Sequence, residues 1–157
     1  MQFDNLQFTP ATCPNEAWMV DSMALDFAER PFVRLVADVA SRRPLSATLT
    51  LQVDHDLHTG LDRLVRRSGP PDQIWFDKQY EFCLGGTLNF WAHEHRISIV
   101  YVPMQMPSLK SVSEPILHNL GSHLRENHFS TLMELGHEIE RWRQSYRAER
   151  PISSINQ

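Results

Sequence analysis

The chain has 157 residues, 41% hydrophobic and 22% charged, with a formal net charge of −4 at pH 7. That length fits one domain with a sizeable core, and the apolar share is ordinary for a globular chain. The acidic balance is unlike a small nucleic-acid binder with a strongly basic face. No apolar run approaches the ~20 residues that span a bilayer, and Met1-Gln2-Phe3-Asp4 does not open a secretory signal. No membrane partner and a cytoplasmic location are therefore expected. Cys13 and Cys83 are too few for a disulfide framework and are expected to be free thiols.

Residues 1–16 form an extended lead-in, broken by Pro10, Pro14 and Asn15. Segments 17–25 and 31–39 are expected strands joined by a polar turn near Ala28-Glu29-Arg30. In 44–53, Leu45, Ala47, Leu49, Leu51 and Val53 alternate, which predicts a third strand with one buried face. Asp54 or Asp56 can cap a helix whose Leu57, Leu61, Leu64 and Val65 recur at helical spacing; Gly69-Pro70-Pro71 stops it. A short fourth strand covers 73–76. Gly85-Gly86-Thr87 leads into a helix with Leu88, Trp91 and Ala92. A fifth strand covers 97–102, and a loop covers 103–113. Two helices follow, over 113–126 and 130–147. The last places Leu132, Leu135, Ile139, Trp142 and Tyr146 on one face.

Three acids stand out. Asp21 ends Trp18-Met19-Val20-Asp21, and Asp77 ends Gln73-Ile74-Trp75-Phe76-Asp77, a buried-looking strand. Glu114 precedes Pro115-Ile116-Leu117 at a helix start. Proline fits the first helical turn, and the residue before it avoids the α region, so Glu114 is confined to that start. There the positive helix end favours its ionised form. Two strand-end acids and one helix acid can converge on two divalent ions, which clamp the attacking and leaving oxygens of a phosphodiester. Asp38 also ends a strand and is the nearest competitor. Asp54 and Asp56 read as helix caps. Taken singly, each acid is more often a turn or cap residue than a ligand. The spacings His93-x-His95 and His55-x-x-His58 have no accompanying cysteine pair and read as surface positions. The chain lacks a Gly-x-Ser-x-Gly motif and a glycine-rich phosphate loop.

Several segments in one order carry a family resemblance across residues 18–155. They are Trp18-Met19-Val20-Asp21; Val33-Arg34-Leu35-Val36-Ala37-Asp38 with Ser41-Arg42; Gly69-Pro70-Pro71-Asp72-Gln73-Ile74-Trp75-Phe76-Asp77 followed by Glu81-Phe82; and Trp91-Ala92. Phe129-Ser130 with Leu132, Ile139-Glu140-Arg141-Trp142-Arg143, Tyr146 and Arg150-Pro151-Ile152-Ser153-Ser154 complete the set. Together they resemble the integrase core, the catalytic domain of retroviral-integrase-type insertion-sequence transposases. The departures are local. Lys78-Gln79 replace the family's Asn-Gly after the second Asp, and Leu109-Lys110-Ser111 replace its Gln-Asn-Ala before the Glu. Arg147 and Ile152 replace an Asn and a His near the end. Between Asp77 and Glu114 lie 36 residues, one more than the family's common spacing.

The resemblance implies an α/β chain of ribonuclease-H-like fold, a five-stranded mixed sheet flanked by helices, as one core domain over 17–155. It brings the first and fourth strands together, and with them Asp21 and Asp77. It implies metal-dependent phosphoryl transfer on DNA with two Mg²⁺ or Mn²⁺ ions. Asp21 would bridge them, Asp77 would hold one and Glu114 the other. Lys78 and Lys110 flank the site in sequence, and Arg143 and Arg147 interleave with Trp142 and Tyr146. All four are candidate DNA contacts; the bland reading of such residues is a solvated surface. A homodimer is expected, paired through the apolar face of the last helix and the Trp91 helix, with no small-molecule substrate. The altered Lys78-Gln79 and Leu109-Lys110 positions support an alternative, a catalytically silent remnant that binds DNA or a transposase partner. A nuclease acting on RNA–DNA hybrids shares the fold.

Overall fold

Strands buried on both faces, with helical periodicity between them, generate three layers. The structure, a computed structural model, describes residues 11–52, 57–78, 80, 85–103 and 111–147. The order is β1 (Ala17–Ala24), β2 (Phe32–Asp38), β3 (Pro44–Thr50), α1 (Leu57–Ser68), β4 (Gln73–Asp77), α2 (Gly86–Glu94), β5 (Ser98–Val102), α3 (Ser113–Arg125) and α4 (Leu132–Ser145). Residues 1–10 of the lead-in, Asp54, Asp56, Gln79, Glu81-Phe82, Cys83, Leu109, Lys110 and the 148–155 tail lie outside the described residues.

The strands form one mixed sheet in the order β3-β2-β1-β4-β5. β1, β2 and β3 are an antiparallel meander, while β4 runs parallel to both β1 and β5. The expected α/β, ribonuclease-H-like architecture is what is observed. Each face of the sheet carries its own core. Trp18, Val20, Val36, Ile74 and Phe76 pack with Leu57, Leu61 and Leu64 of α1 and with Leu88 and Trp91 of α2. Ala17, Met19, Leu35 and Trp75 pack on the other face with Ile116 and Leu120 of α3 and with Leu135, Ile139 and Trp142 of α4.

Polar side chains fix the helices at their ends. Gly69, at φ 78°, closes α1, its N–H reaching the Val65 carbonyl at 2.8 Å; the left-handed conformation suits glycine. The Thr131 side chain accepts from the Glu134 N–H, and Glu134 reaches back to the Ser130 N–H, a variant of the reciprocal cap at a helix start. Trp91 Nε1 donates to Asp62 across α1 and α2, and Trp142 Nε1 donates to Asn119 across α4 and α3.

The alternation predicted over 44–53 is broken in two places. A register shift between Val36 and Ala37 leaves Leu45 opposite no β2 residue, so it packs on the α1 and α2 side while Ala47 and Leu49 face the other core. The ladder also ends at Thr50, whose hydroxyl donates to the Gln52 carbonyl and accepts the Gln52 N–H. That local turn competes with strand pairing and leaves Leu51 exposed. No helix among the described residues is long and apolar enough to cross a membrane.

Candidate functional site

Side-chain parity brings the two aspartates to one place. Successive strand residues point to opposite faces. Met19 and Trp75 face α3 and α4, so Asp21 and Asp77, two residues on, share that face. The parallel ladder pairs Trp18 with Ile74, Met19 with Trp75 and Val20 with Phe76. Asp21 and Asp77 occupy the next register position, on neighbouring strands. Asp77 is buried at 4% exposure, and Asp21 is half-buried.

The third position holds a different residue from the one expected. Ser113, at 0% exposure, donates its hydroxyl to Asp21 Oδ2 at 2.7 Å. Asp21 Oδ1 accepts the Ser22 N–H at 2.8 Å. Glu114 is exposed. Among the described residues no three His, Cys, Asp or Glu side chains gather as a metal would require, so Glu114 does not join the two aspartates. The physical reason is helix phase. Ser113, Ile116, Leu117 and Leu120 form the buried stripe of α3, at the three- and four-residue steps of one helix face. Glu114 is one residue off that stripe. Val112, not Glu114, is the residue that starts the helix, and Pro115 falls within the first turn.

Sequence reasoning missed Ser113, although two signals mark it. It lies on the same helical stripe as Ile116 and Leu120. Its distance from Asp77 is also one residue shorter than that of Glu114, which restores the family's common spacing. The charge of Glu114 drew the assignment away from it.

Tyr80, also missed, braces the site from behind. Its ring packs in the α1 and α2 core, and its hydroxyl bonds the Ser22 hydroxyl. Burial raises the Tyr80 pKa, the Ser22 bond acts against this, and the negative charges of Asp21 and Asp77 raise it further. The phenol therefore stands within electrostatic reach of both carboxylates.

The other candidates are dispersed. Asp38, the last residue of β2, anchors backbone instead: it is buried and accepts the Asn15 N–H and the Ser41 N–H, each at 2.7 Å. Lys78 is exposed directly after Asp77, and Lys110 lies outside the described residues. Arg143 is bound by Glu140, with contacts of 2.6 and 2.8 Å, and its remaining reach is to the Pro44 carbonyl at 3.4 Å. Pro44 is on β3, two strands from Asp21. Arg147 is exposed and donates to the Gln144 and Tyr146 carbonyls. The apolar faces expected to pair two copies are consumed within the chain, because Leu135, Ile139, Trp142 and Trp91 are all buried in the two cores. Phe90 and Met133 point outward from the same two helices, at 65% and 72% exposure.

As a seat for divalent ions, Asp21 and Asp77 supply two hard oxygen ligands on one face, a donor set suited to Mg²⁺ or Mn²⁺. Ser113 supplies a neutral hydroxyl where a third carboxylate would stand. The described residues therefore do not fit a two-metal, three-carboxylate centre.

Comparison with known proteins agrees with the fold. No family model matches the sequence. The chain is 27% identical over 151 residues to an uncharacterised protein of insertion element IS407 from Burkholderia multivorans, a match covering 91% of this chain and 53% of that protein. The chain thus spans about half the length of that relative. Among solved structures it resembles a chain of the simian T-cell lymphotropic virus intasome in complex with PP2A regulatory subunit B56 gamma. That match has TM-score 0.64 and 14% identity, over 90% of this chain and 52% of that one. It also resembles the HTLV-2 integrase catalytic core domain in complex with magnesium, in its dimeric form (TM-score 0.59, 16% identity, 80% of this chain and 83% of that one). A third likeness is to the BIV integrase catalytic core (TM-score 0.59, 12% identity, 71% and 70%). With a β3-β2-β1-β4-β5 sheet and two aspartates in register on its central strands, the chain has the fold of these integrase cores and is similar in sequence to an insertion-element protein.

Proposed function

We propose that the domain works on DNA in transposition as an integrase-type core with an architectural part. It holds DNA or joins a second integrase-type subunit, and strand transfer is not its own chemistry. One observation carries this reading: Ser113, not an acid, faces Asp21. The insertion-element relative and the integrase-core fold support the DNA setting. A second reading has a specific observation in its favour, the retained pairing of Asp21 and Asp77. In it the domain is a catalytic core using Mg²⁺ or Mn²⁺ at Asp21, Asp77 and Glu114. That arrangement requires α3 to turn by about 100°, one residue of helix, which would bury Glu114 and expel Ser113.

The test combines duplex-DNA binding with nicking of supercoiled plasmid in Mn²⁺. The architectural reading expects salt-sensitive DNA binding and no nicking above that of Asp77→Asn. Nicking abolished by both Asp77→Asn and Glu114→Gln would establish the catalytic reading instead.

A further inference from the structure

We infer that Ser113 disarms an otherwise preserved cation site, and that a carboxylate at this one position completes it. The inference rests on the integrase-type reading of Asp21 and Asp77. Two carboxylates on one face of neighbouring strands bring two negative charges together. In a metal centre the cation offsets that repulsion. Here Asp21 is satisfied by hydrogen-bond donors instead: the Ser22 N–H on Oδ1 and the Ser113 hydroxyl on Oδ2. A serine hydroxyl donates through its proton and is neutral, so it holds the carboxylate without adding a ligand charge. Ser113 is a positioning residue in this arrangement.

The position itself remains suited to a ligand. It lies on the buried stripe of α3 with Ile116, Leu117 and Leu120. Its side chain already lies within hydrogen-bond distance of Asp21, so a longer acidic side chain from the same backbone site enters the same space. Glu114, exposed on the next helical position, contributes nothing to it.

The experiment measures Mn²⁺ binding to the full chain by calorimetry and by electron paramagnetic resonance, alongside duplex-DNA binding. The native protein and Glu114→Gln should bind Mn²⁺ equally weakly. Ser113→Glu, or the shorter Ser113→Asp should the Glu variant fail to fold, should bind at least about tenfold more tightly. Adding Asp77→Asn should remove the gain. Tight Mn²⁺ binding by the native protein that Glu114→Gln weakens would overturn the inference, and it requires no buried substitution to read. A folded Ser113 variant with no gain would also overturn it. The DNA measurement separates the two levels. Loss of DNA binding by the native chain sinks the transposition reading and leaves the cation result standing. Intact DNA binding with no cation gain sinks this inference alone.

Discussion

Tyr80 and Ser22 meet hydroxyl to hydroxyl, tying the segment after β4 to the strand that carries Asp21. Ser22 faces the α1 and α2 core and Asp21 the opposite one, so the bond fixes β1 at the point where the site is built. The phenol is buried in the α1 and α2 core, and burial raises its pKa above the ordinary 10.0; the Ser22 bond opposes this, and the charges of Asp21 and Asp77, acting through space, add to the rise.

The sign of the resulting pH dependence follows. The folded pKa of Tyr80 is raised, so its contribution is fully present below the unfolded value near 10.0 and is lost as pH rises through the folded value. Tyr80→Phe should lower stability at neutral pH by about 0.5–1.5 kcal/mol through loss of the Ser22 bond. It should also flatten the alkaline decline. Denaturant unfolding across the alkaline range checks both, and an identical decline in the two proteins would refute the assignment.

Within α4, burial and exposure separate stability from surface. Ile139 is at 0% exposure in the core beneath β3, while Met133 is at 72%. Ile139→Ala should cost about 2–5 kcal/mol by transfer and cavity terms. Met133→Ser should stay within about 0.5 kcal/mol. Chemical denaturation of the two variants measures the difference.

Asp38 provides a control for the site. Its two oxygens accept the Asn15 and Ser41 N–H groups and so hold the segment entering β1 and the turn between β2 and β3. Asp38→Ala leaves two part-buried donors without that acceptor and should cost about 1–3 kcal/mol. Mn²⁺ binding by a Ser113→Asp background should be unchanged by it. A loss of Mn²⁺ affinity without loss of stability would make Asp38 a ligand.

Much of this architecture is legible in the sequence because hydrophobic period dominates it. Leu57, Leu61 and Leu64 mark α1 by their spacing alone, and Val33, Leu35, Val36 and Ala37 mark β2. The parity of Asp21 with Met19 and of Asp77 with Trp75 follows from the same rule. What was not legible is local. The Leu45 bulge depends on the pairing of β3 with β2, and the Thr50 turn depends on a side-chain bond competing with the ladder. The Ser113 position was written in the helical stripe, but an adjacent acid at almost the same spacing masked it. Tyr80 carried no signal of its own, because its role comes from Ser22, 58 residues away.

Self-association should depend on the outward sides of α2 and α4, since the inward sides are used within the chain. Phe90 at 65% exposure is the larger apolar group left there. If two copies pair, Phe90→Ser should shift light-scattering mass toward monomer, with no change in the unfolding midpoint at concentrations where both proteins are monomeric. A dimer indifferent to Phe90→Ser and Met133→Ser would place the contact elsewhere.

Arg143 and Lys78 should behave differently toward DNA, although both are basic residues in the resemblance. Hydrogen bonds from Arg143 hold the Glu140 carboxyl below its ordinary value of 4.5. A lowered folded pKa gives stability that is present above the unfolded value and lost as pH falls through the folded one. Glu140 is 47% exposed, so solvent screening keeps the pair to less than about 1 kcal/mol. Arg143→Ala should reduce that acid-side dependence, to which Gln144 and Arg67 also contribute, and remove the contact with the Pro44 carbonyl, with little effect on DNA affinity, because the guanidinium is already bound within the helix. Lys78 is exposed beside Asp77. Lys78→Ala should weaken DNA binding evenly across sequences and reduce the salt slope by about one phosphate contact. Salt titrations of duplex binding for the two variants decide it. An Arg143→Ala slope reduced as much as that of Lys78→Ala would show that DNA displaces Glu140 from the guanidinium.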